Sequence, residues 1–177
     1  MSLKSLNNQV KSSETHAICG LVVQDRELRR VALGTPQGLL AFGFGSGLAR
    51  YAPGTMGTIA AIPFAILLKS LPSIVYWPVL LVLFLMGIYV CGITASRLGR
   101  HDPGGIVWDE MVAYWLTVAF LPVQWTWWLA AFVLFRLFDI LKPWPIRQSE
   151  KFFKGGLGIM VDDIIAALYA MAILALL

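Results

Sequence analysis

The chain reads as an all-α, polytopic membrane helical bundle of about four to five spans, with glycine-rich connecting loops on the cytoplasmic face. Its composition is 58% hydrophobic and only 14% charged, against about 45–50% and about 25% in average soluble domains. The excess is concentrated in runs. Ser70 to Ser96 and Met111 to Phe135 carry no charged residue, and both exceed the roughly 20 apolar residues that cross a bilayer. No polar–apolar alternation is sustained enough for strands, and no internal repeat is evident. The competing reading is a soluble domain with unusually apolar helices, because internal breaks shorten several spans.

Residues 1–33 are polar and charged and lack an apolar h-region, so they read as an extension without a cleavable signal peptide. The extension is expected to begin disordered and to end in a short interfacial helix around "QDRELRRVAL". Residues 34–177 form the membrane-embedded domain, with helical spans at about 56–69, 74–96, 106–121, 124–141 and 159–177. The region 111–135 admits one long span or a hairpin broken at Pro122. Basic residues decide between them. They lie in the N-terminal arm (Lys4, Lys11, Arg26, Arg29, Arg30, Arg50), in the 97–105 loop (Arg97, Arg100) and in 136–158 (Arg136, Lys142, Arg147, Lys151, Lys154). Only Lys69 flanks the 70–73 loop, and the 122–124 turn has none. Cytoplasmic loops are rich in Lys and Arg, and the hairpin alone puts every basic segment on one side. Proline also disfavours helix in the residue before it, and Trp125, Trp127 and Trp128 beside the break fit an interfacial aromatic belt. Cys19 lies in the polar arm and Cys91 in an apolar span, so no disulfide is expected between them. The net charge of +4 is spread over the loops, which suits membrane-surface contacts rather than nucleic acid.

Six of the ten acidic residues stand in three short islands among these apolar stretches: Asp102, Asp109 and Glu110 in "HDPGGIVWDE", Asp139 in "FRLFDILKPWP", and Asp162 and Asp163 in "GGLGIMVDD". Carboxylates are costly near hydrocarbon, and a membrane chain that carries them usually employs them. The hairpin topology turns all three islands, and the glycine-rich "GFGSGLARYAPGTMGT", to the cytoplasmic face. In that segment Gly43, Gly45 and Gly47 would let backbone N–H groups approach an anion, with Ser46, Thr55 and Thr58 as hydroxyl donors. Equally, small residues there permit tight helix packing. Its spacing is neither a Walker A loop nor a dinucleotide fingerprint. Arg136, Asp139 and Lys142, at i, i+3 and i+6, share a helix face. They make either an ion-pair ladder or a site with Asp139 on a cation and Lys142 on a phosphate, Arg147 being a further phosphate candidate. The acidic pairs at 109–110 and 162–163 could each be a dipole-favoured helix start, yet their repetition favours a shared site.

Only oxygen ligands are on offer, which points to Mg²⁺ rather than zinc. Its candidate ligands are Asp109, Glu110, Asp139, Asp162 and Asp163. Cys91 to Arg97 spells C-x5-R, the phosphate loop of cysteine phosphatases. That chemistry needs an exposed thiolate of lowered pKa, and Cys91 follows a long apolar run, so the match is discounted.

Together "GFGSGLARYAPGTMGT", "DPGGIVWDE", "FRLFDILKPWPIR" and "GGLGIMVDD" resemble, in order, the motifs of the phosphatidylglycerophosphatase A family of bacterial magnesium-dependent lipid phosphatases. The likeness runs from about Gly38 to the C-terminus, and Ala52 to Thr58 fits the family pattern A-P-G-T-x-G-[ST]. It implies hydrolysis of phosphatidylglycerophosphate to phosphatidylglycerol at the cytoplasmic leaflet of the bacterial inner membrane. In that reading Asp109, Glu110, Asp139, Lys142 and Asp163 are catalytic. Gly45, Ser46, Thr55, Arg136 and Arg147 meet the phosphate, and Mg²⁺ positions or activates a water. An aspartyl-phosphate route is the variant. The rival function is a transporter with the same carboxylates lining an ion path, which should place them near the bilayer midplane.

Overall fold

The computed structural model describes residues 26–99 and 103–177. The polar arm through residue 25, with Cys19, and Asp102 of the first acidic island lie outside the described residues. The described residues form helices joined by turns and short irregular segments, with no strand among them. A helical stretch over 26–34 (α1) is followed by α2 (Pro36–Ala41), a 3-10 segment (Gly43–Leu48), α3 (Pro53–Lys69), α4 (Ser73–Arg97), α5 (Trp108–Val118), α6 (Trp125–Leu141), α7 (Ile146–Phe152) and α8 (Gly155–Leu174).

The breaks have local causes. Thr35 caps α2, its hydroxyl accepting the Gly38 N–H at 3.0 Å, and Pro36 fills the first helical position. Pro53 opens α3 in the same way. The expected hairpin is present, α5 ending at Val118 and α6 starting at Trp125 with Pro122 between them. The three tryptophans beside it do not form one belt. Trp125 is 75% exposed, whereas Trp128 is buried and donates its Nε1–H to the Pro122 carbonyl at 3.0 Å. A buried indole N–H needs an acceptor, and the turn provides one.

At the centre stands α8, packed on α4, α5, α6 and α7. Its buried stripe includes Gly156, Ile159, Met160, Asp163, Ala166, Ala167 and Ala170, a helical period of mostly small residues that lets backbones approach closely. The closest approach is at its first turn. A Cβ on Gly156 would stand 1.8 Å from the Ile88 carbonyl oxygen of α4, and one on Gly92 would stand 3.1 Å from the Gly156 nitrogen.

Alongside α8 lies α5, of which only Glu110 and Leu116 are not fully buried. Its 11 residues measure about 17 Å, half the thickness of a hydrocarbon core. Hydrogen bonds across the bundle fix its height. Trp108 Nε1–H donates to the Leu83 carbonyl of α4 at 3.2 Å, Trp115 Nε1–H to the Ala61 carbonyl of α3 at 2.9 Å, and Tyr114 Oη–H to the Trp128 carbonyl of α6 at 3.1 Å. At the far end Lys69 Nζ donates to the Ala119 carbonyl at 2.8 Å.

Two helices, α4 and α8, are long and apolar enough to cross a membrane. The outer face of α4 is apolar and bare: Leu81, Val82, Leu85 and Tyr89 are 58%, 61%, 55% and 60% exposed. A soluble protein's core helix would be covered, and apolar surface on this scale fits contact with lipid.

The Gly156 contact predicts that Gly156→Ala lowers thermal stability in detergent by on the order of 1–3 kcal/mol, the cost of overpacking. Gly104→Ala, whose Cβ would meet nothing within 4 Å, should leave the melting temperature unchanged. Equal melting of both variants would remove the close crossing.

Candidate active site

The 3-10 segment is a bed for the loop that carries the first acidic pair. A Cβ on Gly47 would lie 2.0 Å from the Gly105 carbonyl oxygen, and one on Gly57 would lie 2.5 Å from Val107 Cβ. The Val107 N–H donates to the Ala41 carbonyl at 2.9 Å. The next residues open α5, so Asp109 and Glu110 are held at its first turn. From the other side α6 ends at Leu141, and Lys142 leaves it at φ 43°. That left-handed backbone costs a non-glycine residue about 1–2 kcal/mol, and a following proline makes it less favourable still. Ala52, also before a proline, adopts φ 46° at the start of α3. Both strained residues flank the acidic cluster, where tertiary packing over-determines them.

One polar pocket of about 90 Å³ is lined by Gly104, Ile106, Asp109, Glu110, Asp139, Lys142, Ile159, Asp162 and Asp163. Five carboxylates from three helices therefore share one chamber with a lysine. Asp163 is its hub: it is 3% exposed, and the charges of Asp139, Asp109, Asp162 and Glu110 all act on it. Two cations are built in. Arg136 Nη1 reaches Glu110 Oε1 at 2.7 Å and Asp139 Oδ2 at 2.6 Å. Lys142 Nζ reaches Asp162 Oδ2 at 2.7 Å. Among the described residues, the buried Asp163 Oδ2 accepts no hydrogen bond and Arg136 Nε donates none.

The pocket is recessed. Asp162 and Asp163 are in the second and third turns of α8, on the order of 10 Å below its start. Trp108, beside Asp109, bonds to Leu83, near the middle of α4. The sequence puts the acids at the membrane face, and the packing sets them below the helix ends.

The expected phosphate-binding residues divide. Arg136 joins the site through its ion pairs. Thr55 is partly buried at the start of α3 beside Gly54. Gly45, Ser46 and Arg147 do not line the pocket. Ser46 donates to the Gly43 carbonyl of its own turn, Thr58 donates to the Gly54 carbonyl, and Arg147 is exposed. Cys91 is wholly buried, consistent with discounting the C-x5-R match. The residue that sequence reasoning passed over is Gly54. A Cβ there would lie 1.7 Å from Glu110 Oε1 and 2.8 Å from Arg136 Nη2, so only glycine lets α3 meet this ion pair. Its signal was the Pro53-Gly54 step at a helix start.

The donor set suits a hard cation: carboxylate oxygens throughout, with Asp163 Oδ2 unused. Among the described residues no three acidic, His or Cys side chains form a group that could by itself hold a metal ion. Magnesium asks for less, typically one or two carboxylates with substrate oxygens and waters, so the residues fit it.

A family model described as Phosphatidylglycerophosphatase A matches residues 39–177. Phosphatidylglycerophosphatase A of Escherichia coli (strain K12) is 47% identical over 146 residues, covering 82% of this chain and 85% of its own. The Haemophilus influenzae protein of the same name is 44% identical over 154 residues, covering 86% and 94%. No solved structure matches the chain. On these matches, which include every acidic segment described above, the chain belongs to the phosphatidylglycerophosphatase A family.

Proposed function

We propose that this chain is a phosphatase that hydrolyses the terminal phosphomonoester of phosphatidylglycerophosphate, releasing phosphatidylglycerol and phosphate in phospholipid biosynthesis. Family membership names the reaction. The observation that carries it to particular residues is the single chamber shared by Asp109, Glu110, Asp139, Lys142, Asp162 and Asp163. A chamber of about 90 Å³ has room for roughly three waters at about 30 Å³ each. It suits a phosphoryl group with an ion and a water, and excludes the rest of a lipid.

Asp163, with partners among Asp109, Glu110, Asp139 and Asp162, would hold Mg²⁺. When bound, the ion would neutralise phosphate charge and ease removal of a proton from water. The chain's own groups do the rest. Lys142, anchored by Asp162, and Arg136, anchored by Glu110 and Asp139, present positive charge to the phosphoryl oxygens and stabilise the charge that develops there. Water oxygen bonds to phosphorus as the bond to the glycerol oxygen breaks. A pocket carboxylate takes the water's proton and returns it to the departing alcohol. The chain sits as a multi-pass protein in the bacterial cytoplasmic membrane with this chamber open to the cytoplasm, a reading supported by the apolar helices and the distribution of Lys and Arg. Recession of the chamber moves the acids toward the depth a transporter would use. The paired Arg136 and Lys142 and the family match favour phosphate chemistry instead.

Purified protein with short-chain phosphatidylglycerophosphate should release phosphate, lose activity in excess EDTA and regain it with Mg²⁺. Full activity in EDTA would overturn the metal role. Asp163→Asn and Asp109→Asn should each lower kcat/KM by about 100-fold or more while keeping the wild-type elution volume; near-wild-type rates would remove them from the site. Arg136→Lys keeps the charge but replaces a rigid guanidinium, whose Nη1 reaches both Glu110 and Asp139, with a flexible ammonium, and should cost at least about tenfold in kcat/KM. An unchanged rate there would reduce Arg136 to a point charge.

A further inference from the structure

We infer that the groove between α3 and α6 receives an acyl chain of the phospholipid, which reaches the acidic chamber sideways from the membrane. This rests on the lipid-phosphatase reading above and adds where the lipid body lies. The chamber admits only the phosphoryl end, so the glycerol backbone and chains leave it through one side. Toward α4 and α8 the way is shut: a Cβ on Gly87 would meet Met160 Sδ at 2.6 Å and Trp108 Cδ1 at 2.8 Å, and the Gly92–Gly156 crossing lies above it. Toward α3 and α6 the chamber is bounded by one ion pair, Arg136 with Glu110. Both helices flank α5 without packing closely on one another, and between them runs an apolar groove of about 530 Å³ floored by Tyr114, within the size range of small-ligand sites.

The groove begins about one helical turn from the chamber's edge. Gly54 of α3 and Arg136 of α6 meet at Glu110, and Tyr114 is one turn below Glu110 on α5. From that junction the two helices descend antiparallel, so the groove residues fall about level in pairs: Ile59 with Phe132, Ile62 with Leu129, Ile66 with Trp125. The run from Gly54 to Ile66 is about 18 Å, close to the roughly 15 Å of one leaflet's hydrocarbon. At the junction Arg136 keeps a buried Nε that donates no hydrogen bond. A cation there suits the phosphodiester that joins the chains to the terminal headgroup.

The test uses the full chain in phosphatidylcholine vesicles with a phosphatidylglycerophosphate bearing a photoreactive acyl chain, crosslinks being mapped by mass spectrometry. Labels are expected at Ile59, Ile62 and Leu129, and excess phosphatidylcholine should not displace them. Ile62→Trp should remove them and lower kcat/KM for a long-chain substrate by about tenfold or more relative to a dihexanoyl one, the scale of an apolar pocket contact. Val82→Trp, on the bare face of α4, should change neither. Labels on Val82 and Leu85, displacement by phosphatidylcholine, or equal loss on long and short chains would overturn the groove assignment. Headgroup-dependent labelling without phosphate release would instead overturn the hydrolase reading and leave the groove standing.

Discussion

Five carboxylates are packed into the interior of an apolar bundle, and their mutual repulsion is the condition the rest of the structure answers. At an effective dielectric of about 20, two unit charges 4 Å apart interact by roughly 4 kcal/mol. Among the described residues, Lys142 inside the chamber and Arg136 at its edge stand against these five acids, fewer positive charges than carboxylates. Burial without a partner is strongly unfavourable, so the cluster favours positive charge beside it. The same deficit explains why the site keeps a spare oxygen on Asp163. The acids hold the two basic side chains in place.

Holding such a cluster requires backbones rather than long side chains to set the distances. Glycines do this at three levels. Gly47 sits against Gly105 under the loop, Gly54 admits Glu110 and Arg136, and Gly156 lets α8 cross α4 beside Gly92. The strain at Ala52 and Lys142 belongs to the same geometry: each turns the chain sharply before a proline at the edge of the cluster. Stability is given up locally where position matters.

Much of this was readable in advance. The hairpin at Pro122 followed from proline chemistry and the placement of Lys and Arg. The end of α6 before Pro143 followed from the same rule, and the acidic islands stood out because charge is rare in such a chain. Other features were hidden because they arise only when distant segments meet. Gly54 looks like any helix-start glycine until Glu110 lies against it. The glycines at 43 and 47 satisfy a phosphate-loop reading and a packing reading equally well in sequence, and their burial against Val107 and Gly105 favours packing. The brevity of α5 was masked by apolar residues that continue into the turn, since hydropathy does not mark where helical hydrogen bonding stops.

The central helix follows all four of its neighbours in the chain. As α8 emerges last among α4 to α8, Asp109, Glu110 and Asp139 are made well before Asp162 and Asp163. Until then Lys142 lacks its anchor and the chamber lacks a wall. Order of synthesis thus imposes order of assembly: the chamber gains its last wall, and Lys142 its Asp162 partner, only when α8 has been made.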